Sequence, residues 1–375
     1  MELKRIRLPF RAKKTVLGLG AQTKNTICFI KGGFAYLSPV HADLSNPKDL
    51  FSFEKDALYF LKKYPKIIAY DLHPEYQSTK FSLDLSPITY RLSPIQHHHS
   101  HIVSCMVENG LKNQKVIGVA FDGTGLGEGN TLWGGEFLLC DFKSFQRKAH
   151  LQEIPLLGGE KAISEPGRLA LAWLYLVYKD GLFNLGIDFV KGIDKKKWRV
   201  LKDMYLKGFN APLASSMGRL FDAVASLTFA KYRAKFEAEL AIELEKKASA
   251  WRPPVQAYDF KITKGKGGYT LSPLPMFKQI VSGLKQGQPQ ANLAYGFHLT
   301  VAQMLKKVCL ILRQASRINK VALSGGVFQN KLLLNLSLGL LYKEGFQVLT
   351  HKDLSCNDSG VSLGQAVIAS SRASY

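Results

Sequence analysis

A short internal repeat restricts the fold of this chain more than any other feature. Val16-Leu17-Gly18-Leu19-Gly20 and Val116-Ile117-Gly118-Val119-Ala120 share the pattern V-[LI]-G-[LV]-[GA], and each opens a set of apolar segments parted by turn residues. In the first set TVLGLG, TICFIK and FAYLS are separated by AQTKN and by Gly32-Gly33, the punctuation of an antiparallel meander. In the second, VIGVAFD is followed by a glycine-rich stretch, by LWGGEFLLCDF and by a third strand expected over 147–154. Between the sets the sequence predicts a helix around Phe53 to Lys63, a short strand IIAY and a helix from about Ile95 to Asn109. This predicts an α/β chain of two lobes, residues 1–114 and 115–375, the second with a helical insertion at about 155–315.

Local signals agree with this plan. Ser93 as cap, Pro94 in the first turn and Gln96 completing a capping box predict the start of the helix that Gly110 closes. Helices are expected at Leu169 to Tyr178, Gly218 to Leu227, Glu237 to Ser249 and Leu293 to Gln314. Between them, Trp251 to Pro275 contains Pro253-Pro254 and the turn TKGKGG between YDFKI and YTLS, a surface hairpin. The last third alternates strand KVALSGG, helix Gln329 to Lys343, strand QVLT and helix Gly360 to Ser371. Each half thus resembles the βββαβα order of a ribonuclease-H-like fold, and two such lobes around a nucleotide cleft are the plan of actin-like ATP-binding proteins, the ASKHA class.

Composition bounds the function. At 375 residues with 46% hydrophobic residues, a sizeable core is affordable and disordered or fibrous classes are excluded. A net charge of +22 favours an anionic partner such as RNA, a nucleotide or an acidic protein. Five scattered cysteines without a CxxC pair argue for a reducing compartment, so the cytoplasm is expected. The basic start MELKRIRLPFRAKK lacks the apolar run of a signal peptide, and the most apolar run, Leu169 to Tyr178, is about half of the ~20 residues a membrane helix needs, so no membrane association is expected.

The most informative segment is IQHHHSHI, residues 95–102, where His97 and His101 stand four apart and share one helix face. Two neutral imidazoles so placed can grip a divalent metal, although a solvated histidine-rich helix fits the spacing too. His98 and His99 point about 100° and 200° away from His97, which assigns them to packing. Asp122 ends a buried-looking strand before Gly123-Thr124-Gly125, and Asp358 precedes the last helix; each can serve a metal or a phosphate-bound metal, or else a turn or helix cap. The stretch GTGLGEGN and Ser324-Gly325-Gly326-Val327 offer backbone amides to phosphate, with a structural turn as the alternative. The Lys195-Lys196-Lys197-Trp198-Arg199 run reads as a solvated face.

Together these motifs resemble the C-terminal carbamoyltransferase domain of the HypF family of hydrogenase maturation proteins, and more distantly the TsaD-like tRNA threonylcarbamoyl transferases. The resemblance runs in order through GAQTKNT, SPVHADL, DLHPEYQST, QHHHSH, FDGTGLGEGNTLWGGEF, GGEKAISEPGRLAL, SSMGRLFDAVASL, ALSGGVFQN and NDSGVSLGQA. It implies a divalent metal, iron, zinc or magnesium, held by His97, His101, Asp122 and Asp358 and bound to the phosphate of ATP or of carbamoyl adenylate. It implies nucleotide contacts from Gly123, Thr124, Gly125, Gly218, Asp222, Glu237, Gly325, Gly326 and Asn330, with Lys24 a candidate for phosphate. The acceptor it implies is the C-terminal cysteine of a HypE-like protein, and Cys105 and Cys356 are expected to be packing thiols rather than nucleophiles.

The sequence also departs from the family. KFEAELAIELE stands where a tyrosine-glutamate-glycine-glutamine run is usual, so Ala238 replaces a glycine, and Gln22 and Ala42 replace acidic and glycine positions. The acylphosphatase, zinc-module and YrdC-like parts of full-length family members are expected to be absent, which makes a separate carbamoyl-adenylate-forming protein an expected partner. The tRNA reading is disfavoured because FDGTGLGEGNTLWGGEF replaces that family's shorter SGGH-type turn, so nucleic acid is not expected as a partner; a non-catalytic nucleotide-binding scaffold is the third reading.

Overall fold

In the computed structural model, which describes residues 2–85, 90–250 and 255–373, the repeated strands are buried on both faces and successive side chains enter separate cores. Val16, Cys28, Ile30, Ala35, Ile67 and Ala69 point to one face of the first sheet, while Leu17, Phe29 and Ile68 point to the other. That second face is covered by Phe53, Ala57 and Phe60 of helix Pro47–Leu61. The period of two fixes which face each residue serves, so a one-residue slip would send each set into the wrong core.

The first sheet runs Lys4–Arg7, Phe34–Leu37, Cys28–Lys31, Val16–Gly18, Ile67–Asp71, Arg91–Ile95. The second contains Phe145–Leu151, Leu132–Cys140, Val116–Leu126, Lys320–Ser324 and Gln347–Leu349 in that order. In each, an antiparallel meander is followed by two strands parallel to its first member, so both halves share one topology and the duplication read from the repeat is real. Strands Lys261–Gly265 and Gly268–Ser272 form the expected hairpin, but it extends the second sheet, with Gly268–Ser272 pairing in parallel with Phe145–Leu151. Pro253-Pro254 lies outside the described residues.

Helix His97–Glu108 and the C-terminal helix Val361–Arg372 share one core with the inner face of the first sheet and with Val116, Ala120 and Leu138 of the second. The third position of each repeat explains how closely they pack. A Cβ on Gly18 would meet the Ser362 carbonyl oxygen of the C-terminal helix, and one on Gly118 would lie 2.7 Å from Ile102 of the histidine helix. Where these helices pass each other, Gly364 faces the Ser100 carbonyl with no room for a side chain. The other face of the second sheet, with Ile117, Val119 and Phe121, packs on the helical region through Trp173, Phe221, Phe277 and Phe297.

The histidine helix begins later than its sequence suggests. Ser93 and Pro94 belong to edge strand Arg91–Ile95, where a residue lacking an N–H is tolerated, and Gln96 is the cap, its Oε1 accepting from His99 N at 2.9 Å. Gly110 closes the helix with φ of 68°. Lys195–Lys197 are exposed on helix Lys195–Lys207 while Trp198 is buried, as a solvated face requires. No helix among the described residues is long and apolar enough to cross a membrane.

Candidate functional site

All four histidines of residues 97–101 are buried, which discards the solvated-helix reading. His99 Nε2 donates to the Asp141 carbonyl at 2.7 Å, and His98 Nδ1 meets Gln96 Nε2 at 3.2 Å, so these two are packing residues. His97 and His101 face the same space, with ring centroids 4.9 Å apart. Asp122 enters that space from strand Val116–Leu126 of the second sheet, and Asp358 from the turn before the C-terminal helix. Asp122 Oδ2 lies 3.3 Å from both Nε2 atoms, and Asp358 Oδ1 lies 3.8 Å from that of His97 and 3.5 Å from that of His101. One donor atom from each of the four falls within 4.8 Å of all the others. Asp358 is free for this task because Asn357 caps the turn, accepting from Ser359 N at 3.1 Å.

The chemistry of the group calls for a cation. The Nε2 atoms of His97 and His101 are buried and make no hydrogen bond among the described residues. Burial opposes protonation of both imidazoles, yet Asp71, Asp122 and Asp358 outweigh it for His97, and Asp122 and Asp358 for His101, and both rings are held above the ordinary histidine range. Burial likewise opposes ionisation of Asp122, but the two imidazoles outweigh it and hold its carboxyl well below the usual range. Two buried cationic rings against two carboxylates mark a place for positive charge, and a divalent ion that displaces the Nε2 protons would be met by two nitrogens and two carboxylate oxygens. Asp358, with 19% of its side chain exposed against 8% or less for the other three, is the open side of the group.

Sequence reasoning missed the residue behind His97. Asp71 ends strand Ile67–Asp71, and its Oδ2 accepts from His97 Nδ1 at 2.7 Å with both side chains fully buried. This places the ring proton on Nδ1 and turns the Nε2 lone pair toward Asp122, an arrangement familiar behind metal-bound histidines. The signal was available, since Asp71 opens DLHPEYQST, but nothing local ties it to residue 97.

The glycine-rich segment is not a turn. Strand Val116–Leu126 continues through Gly123-Thr124-Gly125, and Asp122, Gly123 and Thr124 oppose Gly134 alone in a bulge between the Phe121–Gly135 and Gly125–Trp133 pairs. A bulge re-aims a strand residue, here Asp122. Gly125 is small for packing reasons, because a Cβ would lie 2.8 Å from the His98 ring and 2.9 Å from that of His97. Gly218 abuts the backbone of Asp122 and Gly123, and Gly325, with φ of 103°, presses on the Phe121 backbone. Gly326 N donates to Asp122 Oδ1 at 2.9 Å, and a Cβ on Gly326 would lie 3.0 Å from that oxygen. These glycines therefore let the backbone on either side of Asp122 pack closely, and one of them, Gly326, touches its carboxylate.

Asp222 and Glu237 meet at a cation absent from the sequence reading, Arg219, 3.1 Å from the first and 3.7 Å from the second. Arg219 is buried, and its Nε and Nη1 have no hydrogen-bond partner among the described residues. Glu237 Oε1 lies beside Gly123, which joins this pair to the bulge. Asn330 is engaged elsewhere: its Oδ1 caps helix Lys331–Lys343 through Leu333 N at 2.8 Å, and its Nδ2 lies 2.9 Å from His298 Nε2. Lys24 is exposed on short strand Thr23–Asn25. Burial pushes the Cys105 thiol far up and that of Cys356 up to about 12, as packing thiols require.

The chain matches two family descriptions in order, "HypF Kae1-like domain" over residues 11–108 and "Carbamoyltransferase, Kae1-like Domain, second subdomain" over residues 118–365. It is 34% identical over 377 residues to carbamoyltransferase HypF of Synechocystis sp., covering 96% of this chain and 48% of that protein. It is 33% identical over 364 residues to a carbamoyltransferase HypF homolog of Cupriavidus necator, covering 94% of this chain and 91% of that one. The crystal structure of full-length HypF in the phosphate- and nucleotide-bound form superposes with a TM-score of 0.91 at 36% identity, covering 99% of this chain and 48% of that one. HypF of T. kodakarensis gives 0.85 at 29%, covering 98% and 48%. The chain spans about half the length of most of these relatives and nearly all of the homolog from C. necator. Two subdomains matched in order, and a relative matched across most of its length, show that the chain belongs to the HypF family as its Kae1-like carbamoyltransferase domain.

Proposed function

We propose that this chain is a metal-dependent carbamoyltransferase that moves the carbamoyl group of carbamoyl adenylate to the C-terminal cysteine thiol of a HypE-like acceptor in nickel-iron hydrogenase maturation. The observation that carries the reading is the convergence of His97, His101, Asp122 and Asp358, with two bare imidazole nitrogens turned toward two carboxylates. A divalent ion held by these four, iron, zinc or magnesium, supplies positive charge to the donor's phosphate as the leaving group forms.

The chain's own residues do the rest. Asp71 orients His97, and Gly326 N orients Asp122. Gly218, Gly325 and Gly326 let neighbouring backbone close tightly around Asp122, and Gly123, with no atom closer than 3.4 Å to where its Cβ would be, is the glycine that leaves room for a phosphate beside it. Thr124 and Gly125 continue the same strand, Arg219, Asp222 and Glu237 line its flank for the nucleotide's polar groups, and Lys24 is a further phosphate candidate. The chain offers no activated thiol, since all five cysteines are unpaired and four are buried, so the nucleophile is the acceptor's. Its thiolate forms the C–S bond while the C–O bond to the phosphate breaks and AMP leaves, so no covalent enzyme intermediate is needed.

This reading includes a division into residues 1–114 and 115–375, a separate protein that makes carbamoyl adenylate, and a cytoplasmic setting consistent with unpaired cysteines. Calorimetry with ATP and a divalent ion, comparing wild type with His97→Ala, tests the site, and mass spectrometry of a HypE-like acceptor incubated with carbamoyl adenylate tests the transfer. The expected results are ion-dependent binding lost in the variant and a thiocarbamate on the acceptor's last cysteine. Binding indifferent to His97→Ala removes the metal assignment, and an unmodified cognate acceptor removes the reaction.

A further inference from the structure

His101 has no carboxylate directly behind it comparable to Asp71 behind His97, but a longer chain of side chains stands there. Glu108, the last residue of the histidine helix, accepts at Oε2 from His351 Nδ1 at 2.7 Å. Its Oε1 accepts from the backbone amides of Lys352 at 2.9 Å, Leu354 at 2.7 Å, and Asp353. Burial works against ionisation of Glu108, but His351 and these amides outweigh it and hold the carboxyl below its ordinary value. His351 Nε2 lies 2.8 Å from Ser324 Oγ, and Ser324 Oγ lies 3.3 Å from His101 Nδ1. Every link is at most 5% exposed.

We propose that Glu108, His351 and Ser324 are positioning residues that fix the tautomer of His101, so that its Nε2 lone pair faces Asp122 and Asp358. Two polarities satisfy the donors and acceptors of this chain, and they differ in whether His351 Nε2 accepts from Ser324 or donates to it; the proposal takes the first. An ionised carboxylate only accepts, so His351 carries its proton on Nδ1. In that polarity His351 Nε2 accepts from the Ser324 hydroxyl and a remaining lone pair of Ser324 accepts from His101 Nδ1–H, whereas the reverse would leave the His101 proton on Nε2. The two imidazoles of one site are thus oriented by independent devices, His97 from the first sheet and His101 from strand Lys320–Ser324 and the segment that follows Gln347–Leu349. That segment leads on to Asp358, so the carboxylate that steers His101 also staples the chain carrying another member of the group.

The proposal rests on the metal reading only for its purpose, and its test does not need metal. In metal-free protein labelled with ¹⁵N-histidine, at a pH high enough for the His101 ring to be neutral, long-range ¹H–¹⁵N correlations report which ring nitrogen carries the proton, with His101 assigned by His101→Gln. The expected result is His101 in the Nδ1–H form in wild type, with the Nε2–H form gaining population in Ser324→Ala. A wild-type ring in the Nε2–H form overturns the proposal, as does an unchanged population in folded Ser324→Ala, which is what a merely structural loop staple would give. Competition with a chelator for Zn²⁺ adds a second arm, in which Ser324→Ala and His351→Phe weaken binding by about 10- to 100-fold. Unchanged zinc affinity in both variants also overturns it. Absence of zinc binding in wild type removes the metal reading while the tautomer measurement still decides the relay.

Discussion

Replacing Asp71 by asparagine tests the arrangement behind His97 with little change of shape. Both carboxylate oxygens are in use: Oδ2 accepts from His97 Nδ1 at 2.7 Å and Oδ1 from His73 N at 3.0 Å. Asparagine supplies one acceptor and one donor, so in either orientation its NH2 faces a donor. If it faces His73 N, the variant keeps the His97 tautomer but strands a polar group and loses the carboxylate charge. If it faces His97, the ring moves its proton to Nε2, where it blocks the lone pair. An unsatisfied polar group costs about 1–3 kcal/mol, and loss of a carboxylate behind a metal-bound histidine costs about 10- to 100-fold in affinity, about 1.4 to 2.7 kcal/mol. Asp71→Asn is therefore expected to bind Zn²⁺ about 10- to 100-fold more weakly in a chelator competition while keeping the wild-type circular dichroism spectrum. A folded variant with wild-type affinity refutes the claim that Asp71 prepares His97 as a ligand.

Three further perturbations follow. His99 and His298 are buried and their pKa values are lowered by burial to about 4 from 6.5; because the unfolded chain binds these protons first, stability is intact above pH 6.5 and falls as pH drops toward 4, by about 2 kcal/mol per imidazole at pH 5. Urea midpoints at pH 7.5 and pH 5 measure this, and a pH dependence that His298→Gln leaves unchanged would refute its share. Ala238 sits in the left-handed region with φ of 63°, where a Cβ costs about 1–2 kcal/mol, so Ala238→Gly, after the glycine's entropy, is expected to raise stability by about 0.5–1 kcal/mol; a lower melting temperature contradicts the reading. Gly364→Ala drives a methyl into the Ser100 carbonyl between the histidine helix and the C-terminal helix, and is expected to destabilise by about 1–3 kcal/mol or more and to weaken metal binding; wild-type thermal stability would mean the helices have room to part.

How much of the molecule was legible beforehand differs from element to element. Helix His97–Glu108 was readable because period and end signals are local, yet its start was misplaced: Ser93-Pro94 matches a helix entry as well as an edge strand, and only pairing with Ile67–Asp71 decides between them. Gly123-Thr124-Gly125 suggests a turn because glycine permits one, whereas pairing with Leu132–Cys140 makes it strand, and the histidine rings against Gly125 add a packing reason for that residue to be small. Asn330 drew attention beside Gly325-Gly326, and its side chain is engaged by a helix end and His298.

The amino-acid sequence by itself determined the duplicated strand pattern, the face shared by His97 and His101, and the small residues around Asp122, since each depends on periods of two or 3.6 residues and on backbone sterics. Only the tertiary structure decided that Asp71, Asp122 and Asp358 meet those histidines, that Arg219 joins Asp222 to Glu237, and that Glu108 reaches Ser324 through His351. Those partners stand up to 261 residues apart, as with His97 and Asp358. Their meeting is set by strand order and by the helices packed between the sheets, which no local pattern encodes.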